Sequence, residues 1–417
     1  MGVLDKLGRR GFLAGAAASA VAVGGPAWAR DAGVKKLTDG LALIGPAERQ
    51  ARLVRAQALM AQLGLSAVIT EAGSSMDYFT GAQWSRSERP TLAILPREGQ
   101  VGMVMPKFEE GSIRQSLSVP AEVRTWEEDE SPYAIAAGLL ADRKLASGKI
   151  GVEETIRDFI VQGLAGALPN AKIVPGAAVF RGCRMIKTPA EIALMQVASD
   201  ITVAALRHTH ANVRAGMVPR DIAALMAERT TALGARVSFN LILIGEASAY
   251  PHGSRQPQVL SEGQVVLMDC GCNVGGYESD ISRTFVFGEP NARQRKVWAD
   301  VQRGQQVAFE AAQIGVEAGS VDRAVRAYYE SLGWGPRYKL PGLSHRTGHG
   351  IGMDGHEPVN FVMSETTKLA PGMCFSDEPG IYIPGEFGVR LEDCIYLTAQ
   401  GPRWFSQPPP SLDKPMG

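Results

Sequence analysis

Five side chains in the second half of this 417-residue chain have the types and the spacing to hold two metal ions. They are Asp269 in VVLMDCG, Asp280 in SDISRTF, His349 in TGHGIG, Glu378 in DEPGIY and Glu392 in VRLEDC. Asp269 and Asp280 lie symmetrically about Asn273-Val274-Gly275-Gly276, a turn-forming stretch between two strand-like runs. A hairpin with that centre sets the two carboxylates facing each other on neighbouring strands. Glu378 and Glu392 repeat the arrangement about Pro384-Gly385, between MCFSDEPGIYI and GVRLEDCIYL. Two carboxylate pairs and one imidazole are too negative for a single divalent ion. Two cations roughly 3.5–4 Å apart balance them, with a water or hydroxide between as nucleophile. Oxygen-rich coordination with one imidazole suits Mn²⁺ ahead of Zn²⁺ or Co²⁺. Asp269 and Glu378 sit inside apolar strand runs, where an uncompensated carboxylate costs about several kcal/mol. A metal accounts for them better than a solvated surface charge does.

In order and local sequence these residues resemble the pita-bread metallopeptidases, the family of Xaa-Pro aminopeptidases, prolidases, methionine aminopeptidases and creatinase. The shared contexts are D-x-G, S-D-x-[ST]-R-T, G-H-G-I-G, E-P-G-I-Y and R-x-E-D, and all five ligand positions are occupied here. The resemblance is strong over residues 180–400 and weaker over 45–175, where it is to a creatinase-type N-terminal domain. Three further histidines fall at the family's active-site positions: His252 in AYPHG, His345 in LSHRTGH and His356 in MDGHEP. His208 and His210 lie in a helical run and are read as structural.

The resemblance implies roles. Glu392 bridges the two ions. Glu378 also takes the proton from the nucleophile and hands it to the leaving nitrogen. His252 and His356 polarise the scissile carbonyl or steady its oxyanion, and His345 lines the substrate pocket. Arg390 shares strand parity with Glu392 and so faces the site, either to fix an acidic ligand or to hold a substrate carboxylate. The implied activity is hydrolysis of the bond before proline in short peptides with proline second, as an aminopeptidase or a dipeptidase. A non-peptidase on the same frame is the alternative: an organophosphoester hydrolase, a creatinase-like C–N hydrolase or a lyase. Creatinase-like proteins lack the full metal set, which is complete here, and non-catalytic relatives lose ligands. The family's habit also implies a homodimer; Arg86 and Arg89 in QWSRSERP are read as surface arginines rather than as residues reaching a partner's pocket.

Lys+Arg and Asp+Glu both number 43, so no charge excess points to nucleic acid. Residues 1–29 differ from the rest. Lys6, Arg9 and Arg10 precede a weakly apolar Ala/Gly/Val run that ends at Ala27-Trp28-Ala29, an A-x-A cleavage pattern. Arg9-Arg10-Gly11-Phe12-Leu13 resembles a twin-arginine export signal, with Gly8 in place of the usual Ser. The run is too short for a stable span, so the expectation is a translocase partner during export, a periplasmic or secreted product, and no membrane association after cleavage. Five cysteines exclude a fully paired disulfide framework. Cys270 and Cys272 point away from the metal face. Cys374 and Cys394 share parity with the two glutamates, and a disulfide between them is open but not favoured.

Two domains follow the signal: a small α/β creatinase-type domain over 30–180 and an α+β pita-bread catalytic domain over 181–417. Thr188-Pro189-Ala190-Glu191, a capping box with proline at the first helical position, opens the second. The N-terminal domain is predicted to carry a helix over 46–63, strands at 66–70, 91–96, 101–106 and 150–153, and a helix near 109–117. The second carries helices from 189 to about 210 and at 219–233, 291–315 and 320–332. Its strands fall at 237–244, 264–271, 277–287, 373–383 and 389–398. Helices cover one face of the sheet and the other carries the metals.

Overall fold

Gly45-Pro46 starts the first helix, α1 (Pro46–Leu63), and Gly64 in the left-handed region stops it. The computed structural model describes residues 34–417; the export signal read at 1–29 lies outside the described residues. Residues 35–417 form one unit. Its first part is a mixed six-stranded sheet of β1 (Ala67–Glu71), β2 (Leu92–Pro96), β3 (Val101–Pro106), β4 (Ala121–Trp126), β5 (Lys149–Val152) and β6 (Lys172–Pro175), in the order β4-β3-β2-β1-β5-β6. Around it lie α2 (Ser74–Thr80), α3 (Glu110–Ser116), α4 (Pro132–Asp142), α5 (Asp158–Ala167) and α6 (Ala177–Arg184). The strands read from sequence are the four inner ones, β1, β2, β3 and β5. The unread β4 and β6 are the sheet's two edges, and their half-exposed residues blunt the apolar signal.

The second part opens with α7 (Pro189–Asn212). Its capping box forms as expected: the Thr188 side chain accepts from the Glu191 backbone, and Glu191 accepts from the Thr188 backbone at 2.7 Å. There follow α8 (Pro219–Ala232), α9 (Ala292–Ala311) and α10 (Ala318–Ser331), with strands β7 (Arg236–Ile244), β8 (Val265–Val274), β9 (Tyr277–Glu278) and β10 (Ile281–Val286). Beyond them come β11 (Gly348–Gly350), β12 (Glu357–Phe361), β13 (Cys374–Asp377), β14 (Gly380–Ile383), β15 (Phe387–Arg390), β16 (Asp393–Thr398) and β17 (Gly401–Trp404). One sheet runs β10-β8-β7 with β9 on β8; another runs β12-β11-β13-β16-β17; β14 and β15 pair alone. Alternation decides the faces. Met268 and Cys270 of β8 pack with Leu206, Ile222 and Met226 of α7 and α8. Phe375 and Ile395 pack with Val301 and Val325 of α9 and α10. Asp269, Glu378 and Glu392 have the opposite parity and point the other way.

Two register details matter. In the first hairpin Ser282, not Asp280, is opposite Asp269, and the pairing continues through Asn273 with Glu278 and Val274 with Tyr277. The turn is therefore Gly275-Gly276, with φ of +58° and +93°, as a tight two-residue turn with two left-handed positions requires. This corrects the sequence reading by one residue: Asp280 lies diagonal to Asp269, not facing it. In the second hairpin Asp377 pairs with Asp393 and Gly380 with Arg390, so Glu378 and Glu392 are opposite, as expected. All five cysteines are buried and free. Ser376, not Cys374, is opposite Cys394, so the two thiols are out of register for a disulfide.

Candidate metal centre

The two hairpins meet at their carboxylates. Ser282 and Glu392 exchange backbone hydrogen bonds, N to O at 3.2 and 3.1 Å, which joins β10 to the second hairpin where its strands part. Asp269, Asp280 and Glu392 bring ligand atoms within 4.8 Å of one another, as do His349, Glu378 and Glu392. His349 rides on β11 between two glycines that allow close approach. A Cβ on Gly348 would meet the Ser376 carbonyl oxygen at 2.1 Å, and one on Gly350 the Glu357 carbonyl oxygen at 2.7 Å. The His349 Nδ1 donates to the Gly350 carbonyl at 3.0 Å, because a carbonyl can only accept. Nε2 is thereby left with its lone pair aimed at Glu378 Oε1 (3.4 Å) and Asp280 Oδ2 (3.7 Å), the form of imidazole that binds a metal.

Electrostatics say the cluster is short of positive charge. Burial, then Glu392 and Asp269, drive the Asp280 carboxyl well above its usual range. Burial, then Glu378 and Asp269, do the same to Glu392, and burial lifts Glu378 to about 7. Asp269 Oδ1 is buried without a hydrogen-bond partner. An orphaned carboxylate oxygen among crowded buried acids is what divalent ions would satisfy, so the residues fit a two-metal site.

Arg390 is 3% exposed, and its two readings are decided by its bonds. It donates to Asp269 Oδ2 (2.7 Å), Ser282 Oγ (3.0 Å), the Pro251 carbonyl (3.2 Å) and the Tyr382 hydroxyl (2.9 Å). It fixes the carboxylate of Asp269. Ser282 Oγ in turn donates to Glu392 Oε2 at 2.7 Å. His345 donates from Nδ1 to the Arg346 carbonyl (2.7 Å), so Nε2 accepts from the Tyr382 hydroxyl (2.7 Å). Burial, reinforced by Arg390, pushes this imidazole down to about 3. His345 lines the cavity, but both its nitrogens are engaged by protein.

His252 and His356 are exposed into the same cavity of about 620 Å³, whose apolar wall is Phe239, Leu241 and Pro251. The His356 ring lies edge-on to His349 at 4.2 Å, and it completes a third possible ligand set with His349 and Asp280. Sequence reasoning missed Tyr382, Ser282 and Arg346. Tyr382 has the strand parity of Glu378, so the argument that placed Arg390 at the site would have found it too. Arg86 and Arg89 serve their own domain, bonding the Ala72 carbonyl (3.2 Å) and Glu128 (2.8 Å). His210 packs edge-on against Phe285.

Residues 193–399 match the metallopeptidase family M24, and residues 52–186 match the creatinase/prolidase N-terminal domain. The chain belongs to this family of metal-dependent peptidases, with the pita-bread fold behind a creatinase-type N-terminal domain. It is similar to the probable dipeptidase PepE of Mycobacterium tuberculosis, 34% identical over 84% of this chain and 92% of that protein. It is 31% identical to the Xaa-Pro dipeptidase of Lactobacillus helveticus, over 80% of this chain and 90% of that one. The crystal structure of dipeptidase PepE from Mycobacterium ulcerans superposes with a TM-score of 0.80 at 30% identity, covering 88% of this chain and 98% of that one.

Proposed function

We propose that this enzyme holds two divalent ions, Mn²⁺ first among them, and hydrolyses the bond before proline in short Xaa-Pro peptides. The observation that carries the reading is the convergence of Asp269, Asp280, His349, Glu378 and Glu392 on one cavity; relatives named as dipeptidases and Xaa-Pro dipeptidases support the substrate class. When bound, such a pair of ions supplies an acidified water and a Lewis acid for the scissile carbonyl. Glu378 accepts the water's proton and returns it to the leaving nitrogen. His252 and His356, open to the cavity, donate to the developing oxyanion. Arg390 holds Asp269 in place, with Tyr382 and Ser282 holding Arg390. Phe239, Leu241 and Pro251 offer an apolar wall for the substrate's side chains. The reading includes export before the enzyme acts.

Turnover of Xaa-Pro dipeptides against Xaa-Pro-Xaa peptides with Mn²⁺, beside creatine and a phosphotriester, tests it. Peptide turnover is expected. Turnover of the phosphotriester or creatine with no peptide cleaved would overturn the reading.

A further inference from the structure

We propose that a buried nest of oxygens behind the second hairpin binds a monovalent cation of the sodium or potassium class, held by Asp377, Gln305 and Tyr329. The inference stands apart from the peptide reading above. Asp377 of β13 and Asp393 of β16 are register partners, and both are 0% exposed. They share strand parity with Phe375 and Ile395, so they face α9 and α10, on the side of the sheet away from Glu378 and Glu392.

Protein donors serve one of the two acids. Arg283 reaches Asp393 with Nη2 at 2.7 Å and Nη1 at 3.1 Å, Gln305 Nε2 reaches it at 3.0 Å, and the Ser406 hydroxyl donates to it as well. Neither carboxylate oxygen of Asp377 has a hydrogen-bond partner among the described residues. Two acids and the Arg283 guanidinium leave one negative charge over. Two more oxygens are buried there without partners, Gln305 Oε1 and the Tyr329 hydroxyl, on residues 1% and 2% exposed. Gln305 Nε2 spans the acid pair, reaching the Asp377 carbonyl at 3.4 Å beside Asp393, so Oε1 of the same amide lies next to them. The Tyr329 hydroxyl lies over Gly304, the residue before Gln305, where a Cβ would meet it at 2.3 Å. Burial first, then Tyr382 and Asp377, pushes that hydroxyl up, which sets it in the field of the same carboxylate.

The chemistry of such a nest is that of a cation. A water balances no charge, and a proton on Asp377 makes a single bond. A hard monovalent ion takes the carboxylate, amide and hydroxyl oxygens together and cancels the one excess charge. A divalent ion would leave the nest positive. A cavity of about 370 Å³ comes in from the surface to Gln305, between α9 and residues 404–410, and gives the ion a route. Asp377 adjoins Glu378 and Asp393 adjoins Glu392, so the ion steadies the backbone of both.

The manganese-loaded enzyme is melted in NaCl, KCl and tetramethylammonium chloride at one ionic strength, beside Asp377→Val and Tyr329→Phe. The wild type is expected to melt about 3 °C or more higher in sodium or potassium than in tetramethylammonium, with a saturable dependence on the ion. Asp377→Val, apolar and close in size, is expected to lose that difference and keep its manganese. Tyr329→Phe keeps the shift but needs about tenfold more salt to reach half of it. Crystals grown in rubidium chloride are expected to show an anomalous peak against Asp377. Equal wild-type melting in the three salts overturns the site, as does a shift that survives in Asp377→Val. Rubidium crystals with no anomalous peak against Asp377, and water alone there, overturn it too. If Asp377→Val does not fold, the salt series on Tyr329→Phe and the rubidium crystals decide: an unchanged half-saturation or a missing peak refutes the cation.

Discussion

Asp280 is 5% exposed, lies among other acids and 3.7 Å from His349, so its carboxylate is tolerated at little cost only when cations are present. Replacing Asp269, Asp280, His349, Glu378 or Glu392 by Ala is expected to lower both bound metal and turnover, the latter by about a thousandfold or more. Metal content beside kcat checks it; two retained ions and normal turnover in Asp280→Ala would refute the ligand assignment. His252→Ala and His356→Ala are expected to keep the metal and lose about 10²–10³-fold in kcat. Because His356 also completes a ligand set, a metal loss confined to its variant would make it a ligand. Tyr382 is a separate case. Its hydroxyl accepts from Arg390 and donates to His345, so Tyr382→Phe loosens both holders of the site. Metal affinity is expected to fall about 10–100-fold, as read by competition with a chelator. An unchanged affinity would show that Asp269 needs no such support.

At the scale of elements, the site depends on how closely β11 lies between its neighbours. The side chain that Gly348 lacks would strike the Ser376 carbonyl on the β13 side and Phe361 on the β12 side. Backbone cannot give way as a flexible side chain does, so Gly348→Ala is expected to destabilise by about 3 kcal/mol and to shift His349 enough to weaken metal binding. Thermal melting and metal titration check the two effects. A protein that melts with the wild type would mean that the strands separate more easily than their packing indicates. Much of this level is legible in the chain, since the alternation of Asp269 with Met268 and Cys270 places the metal face and the helix face without reference to structure. What alternation misreads is the turn. Four candidate turn residues, Asn273 to Gly276, allow two centres, and the positive φ of both glycines selects the later one.

At the scale of the molecule, one buried carboxylate ties the two parts together. Glu357 of β12 accepts from Arg184 at 2.6 Å and Lys187 at 2.9 Å, and Arg184 reaches Ser74 and Ser75 at the start of α2. Burial alone would raise the Glu357 carboxyl, yet Lys187 and Arg184 overcome it and hold it at about 2, below its ordinary 4.5. A depressed carboxylate stabilises the fold above its unfolded value, and that contribution is lost as pH falls through the folded one. Wild type is therefore expected to exceed Glu357→Gln by about 3 kcal/mol above pH 4.5, the gap closing as pH drops toward 2. Denaturant melts across that range measure it, and a gap independent of pH would refute it. Export belongs to this scale as well. We propose that Arg9→Lys/Arg10→Lys leaves a folded, metal-loaded, active precursor in the cytoplasm, because a twin-arginine route carries folded proteins. Mn²⁺ binds such sites more weakly than Zn²⁺, so loading before export would favour it. Fractionation with an activity assay decides. A variant precursor that still leaves the cytoplasm would refute the signal, and an inactive one that gains activity only with added zinc would refute the loading.

The sequence by itself determined which five acidic and imidazole side chains converge, the opposition of Glu378 and Glu392, the cap at Thr188 and the inner strands, because each is written in spacing or alternation over a few residues. It also resolved Arg390 to the metal face by parity alone. Tertiary structure decided what those side chains do there. Whether Arg390 holds Asp269 or a substrate depends on Pro251, Ser282 and Tyr382, which come from three separate stretches of chain. His345 has its second ring nitrogen engaged only because Tyr382 is brought to it from another strand. Edge strands β4 and β6 carry too little apolar signal to be read, since nearly all their residues are only half-buried or exposed. Local periodicity reports which face a residue takes; the partners that spend its hydrogen bonds arrive from elsewhere in the chain, and only the fold brings them.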